Sequence, residues 1–281
     1  MSSQDPAEGT FQVWLKNLKN RPRRKDSAPA VEIPRPVEDV ASTTPVFETE
    51  TVQLMQGTTP VATIVLNLDS MVAEEFRILR ARVRALDEER SLRCVGLVSA
   101  TSREGKSTTA LGLATALSQE PGRKVLLLEA DLRRPALEAC LGLPLSAGVG
   151  EWLRDRRNPI PVRRLLPQGF YLMSAGKEGY TPPELLGSEA MDTLLRAARE
   201  AFDWVVVDCP PLLPVADAVV MEDLLDGFLF VARARHSPRE TLQKAVARLK
   251  PDKIRGTIFN ARRDVLPGYD NHGHRQYRPG R

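Results

Sequence analysis

The chain has 281 residues, of which 42% are hydrophobic and 27% are charged, so it is long enough for one sizeable globular domain with extensions. Three scattered cysteines exclude a disulfide framework and a thiolate metal cluster, and the net charge of +4 is too small and too terminal to favour nucleic-acid binding. No run approaches the roughly 18 apolar residues of a membrane helix, and the N-terminus lacks a secretory h-region. Composition therefore predicts a cytoplasmic protein.

Residues 1–60 are rich in Pro, Thr, Glu and Arg, and we predict a mostly disordered N-terminal extension there. One short stretch has four apolar residues on one helical face: Phe11, Trp14, Leu15 and Leu18. A basic run follows at residues 21–25. This stretch could be a short helix that docks onto a partner or onto an anionic membrane surface. The alternative is a partly helical tail with a solvated charge run.

Residues 61–262 alternate between helical and strand patterns. Helices are predicted at 71–90, 106–119, 183–200, 215–225 and 238–249, and strands at 93–99, 124–129, 203–208, 227–233 and 254–260. The strands are nearly continuous Val, Leu and Ile runs, which is typical of strands covered on both faces. The alternation predicts an α/β fold, a mostly parallel sheet with helices on both faces.

A phosphate-binding loop is predicted where the first of these strands meets the helix at 106–119. The residues are Ser99-Ala-Thr-Ser-Arg-Glu-Gly-Lys-Ser-Thr108. Backbone N–H groups and the helix N-terminus would surround the phosphates, Lys106 would reach the β/γ-phosphates and the Ser107 hydroxyl would bind Mg²⁺. Ala100 replaces the usual first glycine. The residues predicted to bind the nucleotide are Ser102, Arg103, Glu104, Gly105, Lys106, Ser107 and Thr108.

Carboxylates end two further apolar strands. Glu129 and Asp131 follow Val125–Leu128, and Asp208 follows Trp204–Val207. Ligands of an open parallel sheet bind at the carboxyl ends of its strands, so these groups and the loop should converge on one crevice. Each carboxylate could instead cap a following helix or turn. Three of them beside a phosphate-binding loop favour an ATP and Mg²⁺ site.

The three segments together resemble the Walker A, Walker A′ and Walker B motifs of the bacterial protein-tyrosine kinases, which serve capsule and exopolysaccharide assembly within the P-loop ATPase superfamily. The A′ pattern is Glu129-Ala-Asp131-Leu-Arg133, and the B pattern is Asp208-Cys-Pro-Pro211. Residues 182–189, 216–218 and 226–233 are also similar. The resemblance covers residues 70–262.

An oligomerisation motif of that family, Glu-x-x-Arg-x-x-Arg, is matched by Glu74, Arg77 and Arg80. Their spacing puts the three side chains on one helical face. Such a pattern is often a solvated face with salt bridges, whereas the resemblance favours a contact between subunits.

The resemblance implies transfer of the ATP γ-phosphate to tyrosines in a C-terminal tail, often that of a neighbouring subunit in a ring. Lys106, Glu129, Asp131 and Asp208 would be catalytic, with Ser107, Asp131 and Asp208 holding Mg²⁺. Glu129 would help to activate the tyrosine hydroxyl, although the family usually has Asp there. The tail, residues 263–281, contains the candidate acceptors Tyr269 and Tyr277, which could equally be incidental.

The resemblance also implies a partner, the cytoplasmic tail of a membrane polysaccharide co-polymerase, which would recruit this cytoplasmic chain to the inner face of the membrane. We therefore expect an autophosphorylating tyrosine kinase that regulates exopolysaccharide or capsule polymerisation and export. Two alternatives are open: a catalytically weak ATP-binding regulator of the co-polymerase, and a partition- or septum-placement-type ATPase. The second lacks support because residues 100–104 contain no signature lysine.

Overall fold

The computed structural model describes residues 45–55, 58–90, 92–176, 182–213 and 215–261. The apolar stretch at residues 11–18 and the tail with Tyr269 and Tyr277 lie outside this part of the chain. The interpretations given for them remain predictions.

One sheet runs through the described part of the chain. Its strands are β1 (Phe47–Gln53), β2 (Cys94–Ser99), β3 (Val125–Glu129), β4 (Ile160–Leu166), β5 (Tyr171–Met173), β6 (Trp204–Asp208), β7 (Gly227–Arg233) and β8 (Ile254–Asn260). They lie in the order β1-β4-β5-β3-β6-β2-β7-β8. Neighbours are parallel except β4 and β5, which are antiparallel, so β1 and β4 run against the other strands. The mostly parallel sheet is as predicted.

Helices cover both faces of this sheet. They are α1 (Pro60–Leu66), α2 (Met71–Arg90), α3 (Lys106–Ser118), α4 (Leu137–Leu141), α5 (Val149–Arg154), α6 (Pro182–Leu186), α7 (Glu189–Ala201) and α8 (Arg239–Val246), with a 3-10 turn at Pro251–Lys253. Alternate residues of each central strand enter two separate apolar cores. One core lies under α1 to α4, and the other lies under α5, α7 and α8. Burial on both faces explains why the central strands are apolar throughout.

The single helix predicted at 183–200 is two helices, α6 and α7. Ser188 separates them, because its hydroxyl accepts a hydrogen bond from Met191 N at 3.3 Å and so caps the start of α7. Serine is a strong N-cap residue, and Gly187 before it is a poor helix former. The boundary therefore follows from local chemistry that the apolar periodicity concealed.

The helix predicted at 215–225 is wrong. This segment forms successive turns, with bonds such as Val219 N to Ala216 O and Leu224 N to Met221 O. Long-range contacts hold it in this shape: Asp217 is buried against Arg133, and Glu222 accepts a hydrogen bond from Lys250 N. Tertiary contacts have here overridden a helical pattern.

β1 lies inside the region predicted to be mostly disordered through residue 60. It pairs in parallel with β4, with Phe47 opposite Ile160 and Gln53 opposite Leu166. Most of its side chains are exposed, because it is an edge strand with little apolar content. Pairing with β4, which sequence patterning did not predict either, gives this strand its place in the sheet.

Candidate active site

The phosphate-binding loop has the strand-loop-helix setting predicted for it. β2 lies inside the sheet between β6 and β7, residues 100–105 form the loop, and α3 begins at Lys106. Gly105 is the N-cap residue of α3 and carries no capping side chain, so the first N–H groups of the helix remain available to an anion. This geometry is suited to binding the phosphates of a nucleotide.

Gly105 is required at its position for two reasons. Its φ of 89° lies in the left-handed region, and a Cβ added there would lie 1.9 Å from Asn260 Nδ2. Asn260 closes against the loop because its Nδ2 donates a hydrogen bond to Glu104 O at 3.0 Å. The end of β8 therefore supports the loop from one side.

Glu104 supports the same loop from within. Its Oε1 accepts hydrogen bonds from Thr101 N (3.0 Å), Thr101 Oγ1 (2.8 Å) and Ser237 Oγ (2.7 Å). The side chain is fully buried. We predicted Glu104 as part of the nucleotide-binding set, and the structure directs its carboxylate into the protein. Its carboxylate fixes the loop to the segment after β7.

Lys106, Asp208 and Asp131 meet at the carboxyl ends of β6 and β3. Lys106 Nζ lies 3.0 Å from Asp208 Oδ1 and 3.8 Å from Asp131 Oδ2. The strand order β3-β6-β2 places these two strands side by side next to the loop. The predicted convergence of acidic strand ends on the phosphate-binding loop is therefore present.

Burial sets the electrostatics of this group. Lys106 is 7% exposed, Asp131 8% and Asp208 0%. Burial alone would lower the pKa of Lys106, but the carboxylates of Asp208 and Asp131 outweigh it, and the pKa is raised. Burial also raises the pKa of Asp131, against the opposing effect of Lys106. The lysine is therefore held in its charged form, as a phosphate ligand must be.

Glu129 is buried and held by backbone hydrogen bonds. It is 1% exposed, and its Oε1 accepts hydrogen bonds from Ala136 N and from Leu137 N at 2.8 Å. Its Oε2 accepts one from Ala175 N at 3.2 Å. The carboxylate therefore caps the start of α4, the alternative that each acidic strand end left open. In this conformation it is not available to a substrate hydroxyl.

Burial is also the main cause of the perturbed ionisation of Glu129. It raises the pKa from 4.5 to about 7, against the lowering effect of the three backbone hydrogen bonds, and the nearby Asp208 carboxylate adds to the rise. A carboxyl group with this pKa is about half protonated at neutral pH.

Arg133 and Asp217 form an ion pair that sequence reasoning missed. Arg133 Nε lies 2.9 Å from Asp217 Oδ2, across 84 positions of sequence. Asp217 is buried, whereas Arg133 is half exposed. Both residues lie in segments that resemble the family. That resemblance was the one sequence feature that pointed to them, and it did not indicate that they pair. The pair joins the A′ loop to the turns after β6.

The other predicted nucleotide ligands lie on the loop surface. Ser102, Ser107 and Thr108 are half-buried and Arg103 is exposed. Arg103 has a φ of 66°, in the left-handed region that a bulky side chain rarely adopts. Their positions at the entrance of α3 are compatible with contact to phosphate or metal.

The donor set fits a magnesium-nucleotide complex. Asp208 Oδ2 is buried and has no hydrogen-bond partner within the described residues, which leaves an oxygen free for a metal-bound water. Nowhere in the described part do three Asp, Glu, His or Cys residues enclose a metal alone. Mg²⁺ does not need such an enclosure, since it binds through one or two carboxylates, substrate phosphates and waters.

The Glu74, Arg77 and Arg80 motif has partners within its own chain. Arg77 pairs with Glu74, and Arg80 Nη1 donates to Ala116 O on α3 at 2.8 Å. The two arginines line a cleft of about 200 Å³ between α1, α2 and α3. Glu74 is exposed. The predicted contact between subunits is not tested by these contacts.

Sequence comparison identifies relatives of the chain. Tyrosine-protein kinase YwqD of Bacillus subtilis (strain 168) is 32% identical over 197 residues, which is 69% of this chain and 83% of YwqD. The chain belongs to the bacterial tyrosine-protein kinase family. The predicted resemblance is thereby confirmed, although no protein-family model matches the chain.

Two further relatives differ in how much of their own length this chain covers. Tyrosine-protein kinase CpsD of Streptococcus agalactiae is 27% identical over 209 residues, 71% of this chain and 88% of CpsD. The succinoglycan biosynthesis transport protein ExoP of Rhizobium meliloti (strain 1021) is 32% identical over 204 residues. Those residues are 68% of this chain and only 25% of ExoP.

Solved structures of the family have the same fold. The kinase domain of the Escherichia coli tyrosine kinase ETK superposes with a TM-score of 0.65 at 27% identity, covering 79% of this chain and 85% of that domain. The BceF tyrosine kinase domain superposes with a TM-score of 0.63 at 28% identity, covering 72% and 83%. The α/β P-loop fold predicted from sequence is confirmed.

Proposed function

We propose that this chain is an ATP-dependent protein-tyrosine kinase that phosphorylates copies of itself and acts in exopolysaccharide or capsule polymerisation and export. The observation that carries the proposal is the group of Lys106, Asp131 and Asp208 beside the free N-terminus of α3. A charged lysine, two carboxylates and unpaired N–H groups are the components that phosphoryl transfer uses. Membership of the tyrosine-kinase family supports tyrosine as the acceptor.

The loop would bind ATP through its backbone. The N–H groups from Ser102 to Thr108 would face the phosphates, and Lys106 would leave its carboxylate partners to contact the β- and γ-phosphates. Gly105 allows the backbone to approach closely. Glu104 and Asn260 would hold the loop in this shape before the nucleotide arrives, which reduces the ordering that binding requires.

Ser107, Asp131 and Asp208 would hold Mg²⁺. The free oxygen of Asp208 and the half-buried hydroxyl of Ser107 suit a hard cation that keeps several waters. When bound, the ion neutralises charge that develops on the transferring phosphoryl group.

The acceptor would be Tyr269 or Tyr277 in the tail of a neighbouring copy. The tyrosine oxygen would form a bond to the γ-phosphorus, the bond from that phosphorus to the β–γ bridging oxygen would break, and ADP would leave. The tyrosine proton needs a base. Of the two A′ carboxylates, Asp131 is the more accessible, whereas three backbone N–H groups occupy Glu129, so Asp131 is better suited to this role.

A membrane partner would connect the kinase to export. The relative ExoP supports this, because it is named a succinoglycan biosynthesis transport protein. The solved chimerical protein CapA2B2 has the same fold, with a TM-score of 0.63 at 20% identity. No helix in the described ranges is long and apolar enough to cross a bilayer. We propose that the chain assembles as a ring-type homo-oligomer and is recruited to the inner face of the membrane by the cytoplasmic tail of a polysaccharide co-polymerase.

The test is phosphotyrosine mapping after incubation with ATP and Mg²⁺. We expect phosphate on Tyr269 or Tyr277 in the wild type and none in Lys106→Met. Lys124→Met is the matched control, because Lys124 is exposed and its side chain has no partner in the described structure. ATP binding or hydrolysis without phosphotyrosine, with or without the partner's tail, would refute the kinase and support a regulatory ATP-binding protein.

A further inference from the structure

Four exposed arginines without a carboxylate partner lie on the phosphate-binding loop or on the two segments that contact it. They are Arg103, Arg134, Arg233 and Arg235, called here the arginine rim. All four are exposed, and none lies within 4 Å of an acidic group in the described residues. Most arginines elsewhere in the fold are paired, as Arg123 is with Asp203 and Arg163 with Glu138. Uncompensated cations converging on one opening favour an anionic ligand.

Two segments, the one that contains Arg134 and the end of β7 with the turn after it, contact the phosphate-binding loop at Ser102 and Arg103. Arg134 Nη1 lies 3.5 Å from Ser102 Oγ, and Arg233 Nη1 donates to Arg103 O at 3.2 Å. His236, which follows Arg235, places its Nε2 3.2 Å from Ser102 O. The rim therefore lies at the outer surface of the loop, whereas Lys106 and the start of α3 form its inner surface.

Two rim residues adopt backbone conformations that are costly for them. Arg103 has a φ of 66° and Arg235 a φ of 58°. Glycine would adopt both without strain, and a bulky residue loses stability there. The guanidinium group, and not the backbone conformation, therefore accounts for an arginine at each of these positions.

We propose that the arginine rim selects acceptor tyrosines that have acidic neighbours. This inference rests on the proposed kinase activity and adds to it the class of acceptor. An incoming tyrosine must reach the γ-phosphate at this entrance, so the residues beside it pass the rim. Within the chain's own tail the rim favours Tyr269 over Tyr277.

The tail offers the two tyrosines in opposite charge settings. Tyr269 is followed by Asp270 and preceded by Asp264, whereas Tyr277 stands between Arg275 and Arg278. Cationic neighbours of Tyr277 would meet the cationic rim. Exposed ion pairs contribute little each, so two or three of them correspond to a preference of roughly 3- to 10-fold in rate.

The experiment measures phosphorylation of each tyrosine by mass spectrometry. The kinase is the wild-type chain, and the acceptor is an isotope-labelled full-length chain carrying Lys106→Met, which cannot phosphorylate itself. We expect a faster initial rate at Tyr269 by the factor given above. Asp270→Arg in the acceptor should remove the preference, and Arg275→Asp with Arg278→Asp should speed phosphorylation of Tyr277. The same comparison with the free peptides 264–274 and 272–281 as acceptors removes any difference in the distance of the two tyrosines from the folded domain.

Reversal of the rim charge tests the kinase side. Arg134→Glu with Arg235→Glu should lose the preference or favour Tyr277, and Lys244→Glu, an exposed cation on α8, is the matched control. The KM for ATP should stay unchanged. Equal rates at the two tyrosines overturn the proposal, and so does a raised KM for ATP with the preference intact, because the rim would then serve the nucleotide. Absence of phosphotyrosine despite ATP binding refutes the proposed function itself.

Discussion

The ammonium of Lys106 lies 3.0 Å from the carboxylate of Asp208, and the two side chains are 8% and 0% exposed. Each compensates the buried charge of the other in the chain without nucleotide. Bound ATP would draw the lysine away from this partner. The ion pair therefore belongs to the nucleotide-free state of the protein.

Removing Lys106 should therefore affect stability as well as activity. Lys106→Met leaves Asp208 buried without a counter-charge, and we expect a loss of about 3 kcal/mol in the free energy of unfolding. The variant should also lose phosphotransfer by at least about 100-fold. Lys106→Met with Asp208→Asn should recover much of the stability and none of the activity. Urea denaturation and phosphotyrosine assays measure the two effects, and a double variant no more stable than Lys106→Met would contradict the ion-pair account.

Glu129 should make stability depend on pH. Its pKa of about 7 in the fold lies above the ordinary 4.5, so the folded chain holds a proton that the unfolded chain releases between these values. Below about pH 4.5 the carboxyl group is protonated in both the folded and the unfolded chain, so its contribution to stability is complete there. As the pH rises to about 7, the free energy of unfolding of the wild type should fall relative to that of Glu129→Gln. Above the folded pKa the difference should no longer change with pH. The loss should be about 3 kcal/mol.

Urea denaturation of the wild type and Glu129→Gln across this pH range checks the prediction. Glu184→Gln, which removes an exposed carboxylate on α6, is the control for the loss of one charge. A constant difference between wild type and Glu129→Gln at all pH values would show that burial does not control this ionisation.

The Arg133–Asp217 pair should respond asymmetrically to substitution. Arg133→Ala leaves a buried carboxylate unpaired, whereas Asp217→Asn leaves an arginine that can turn to water. We expect Arg133→Ala to cost about 2 kcal/mol more than Asp217→Asn in the free energy of unfolding. The reverse order would mean that Asp217 has another partner in solution.

Gly112 should be intolerant of even a methyl group. It lies in the middle of α3, and a Cβ there would lie 2.1 to 2.4 Å from the ring of Phe76 on α2. Helix propensity favours alanine by about 1 kcal/mol, but we expect the clash to prevail and Gly112→Ala to lose about 1–3 kcal/mol. Thermal and urea unfolding measure the change.

Two variants complete that comparison. Gly256→Ala on β8 is the matched control, because its nearest contact would be an ordinary 3.6 Å to Leu229. Phe76→Leu should relieve part of the loss in Gly112→Ala. If Gly112→Ala is stabilising, α2 and α3 are not packed as closely as described.

Much of the fold was accessible from sequence because its cause is local. The apolar runs of β2, β3 and β6 predict strands buried on both faces, and the bounds of β7 and β8 agree with the predicted ranges. Weakly apolar β1 and short β5 escaped prediction, because they depend on pairing with strands far away in the chain. The predicted helix at 215–225 failed for the related reason that Asp217 and Glu222 have partners elsewhere.

The loop, Lys106 and the carboxylates at the strand ends were predictable from the order of residues, since these features follow from residue types placed at the end of a strand or the start of a helix. The contacts of each carboxylate depend instead on how the strands and helices pack together. Asp208 and Asp131 face the lysine, whereas Glu129, two residues from Asp131, caps α4. Burial and hydrogen-bond partners separate chemically equivalent groups, and both depend on how distant segments fold together.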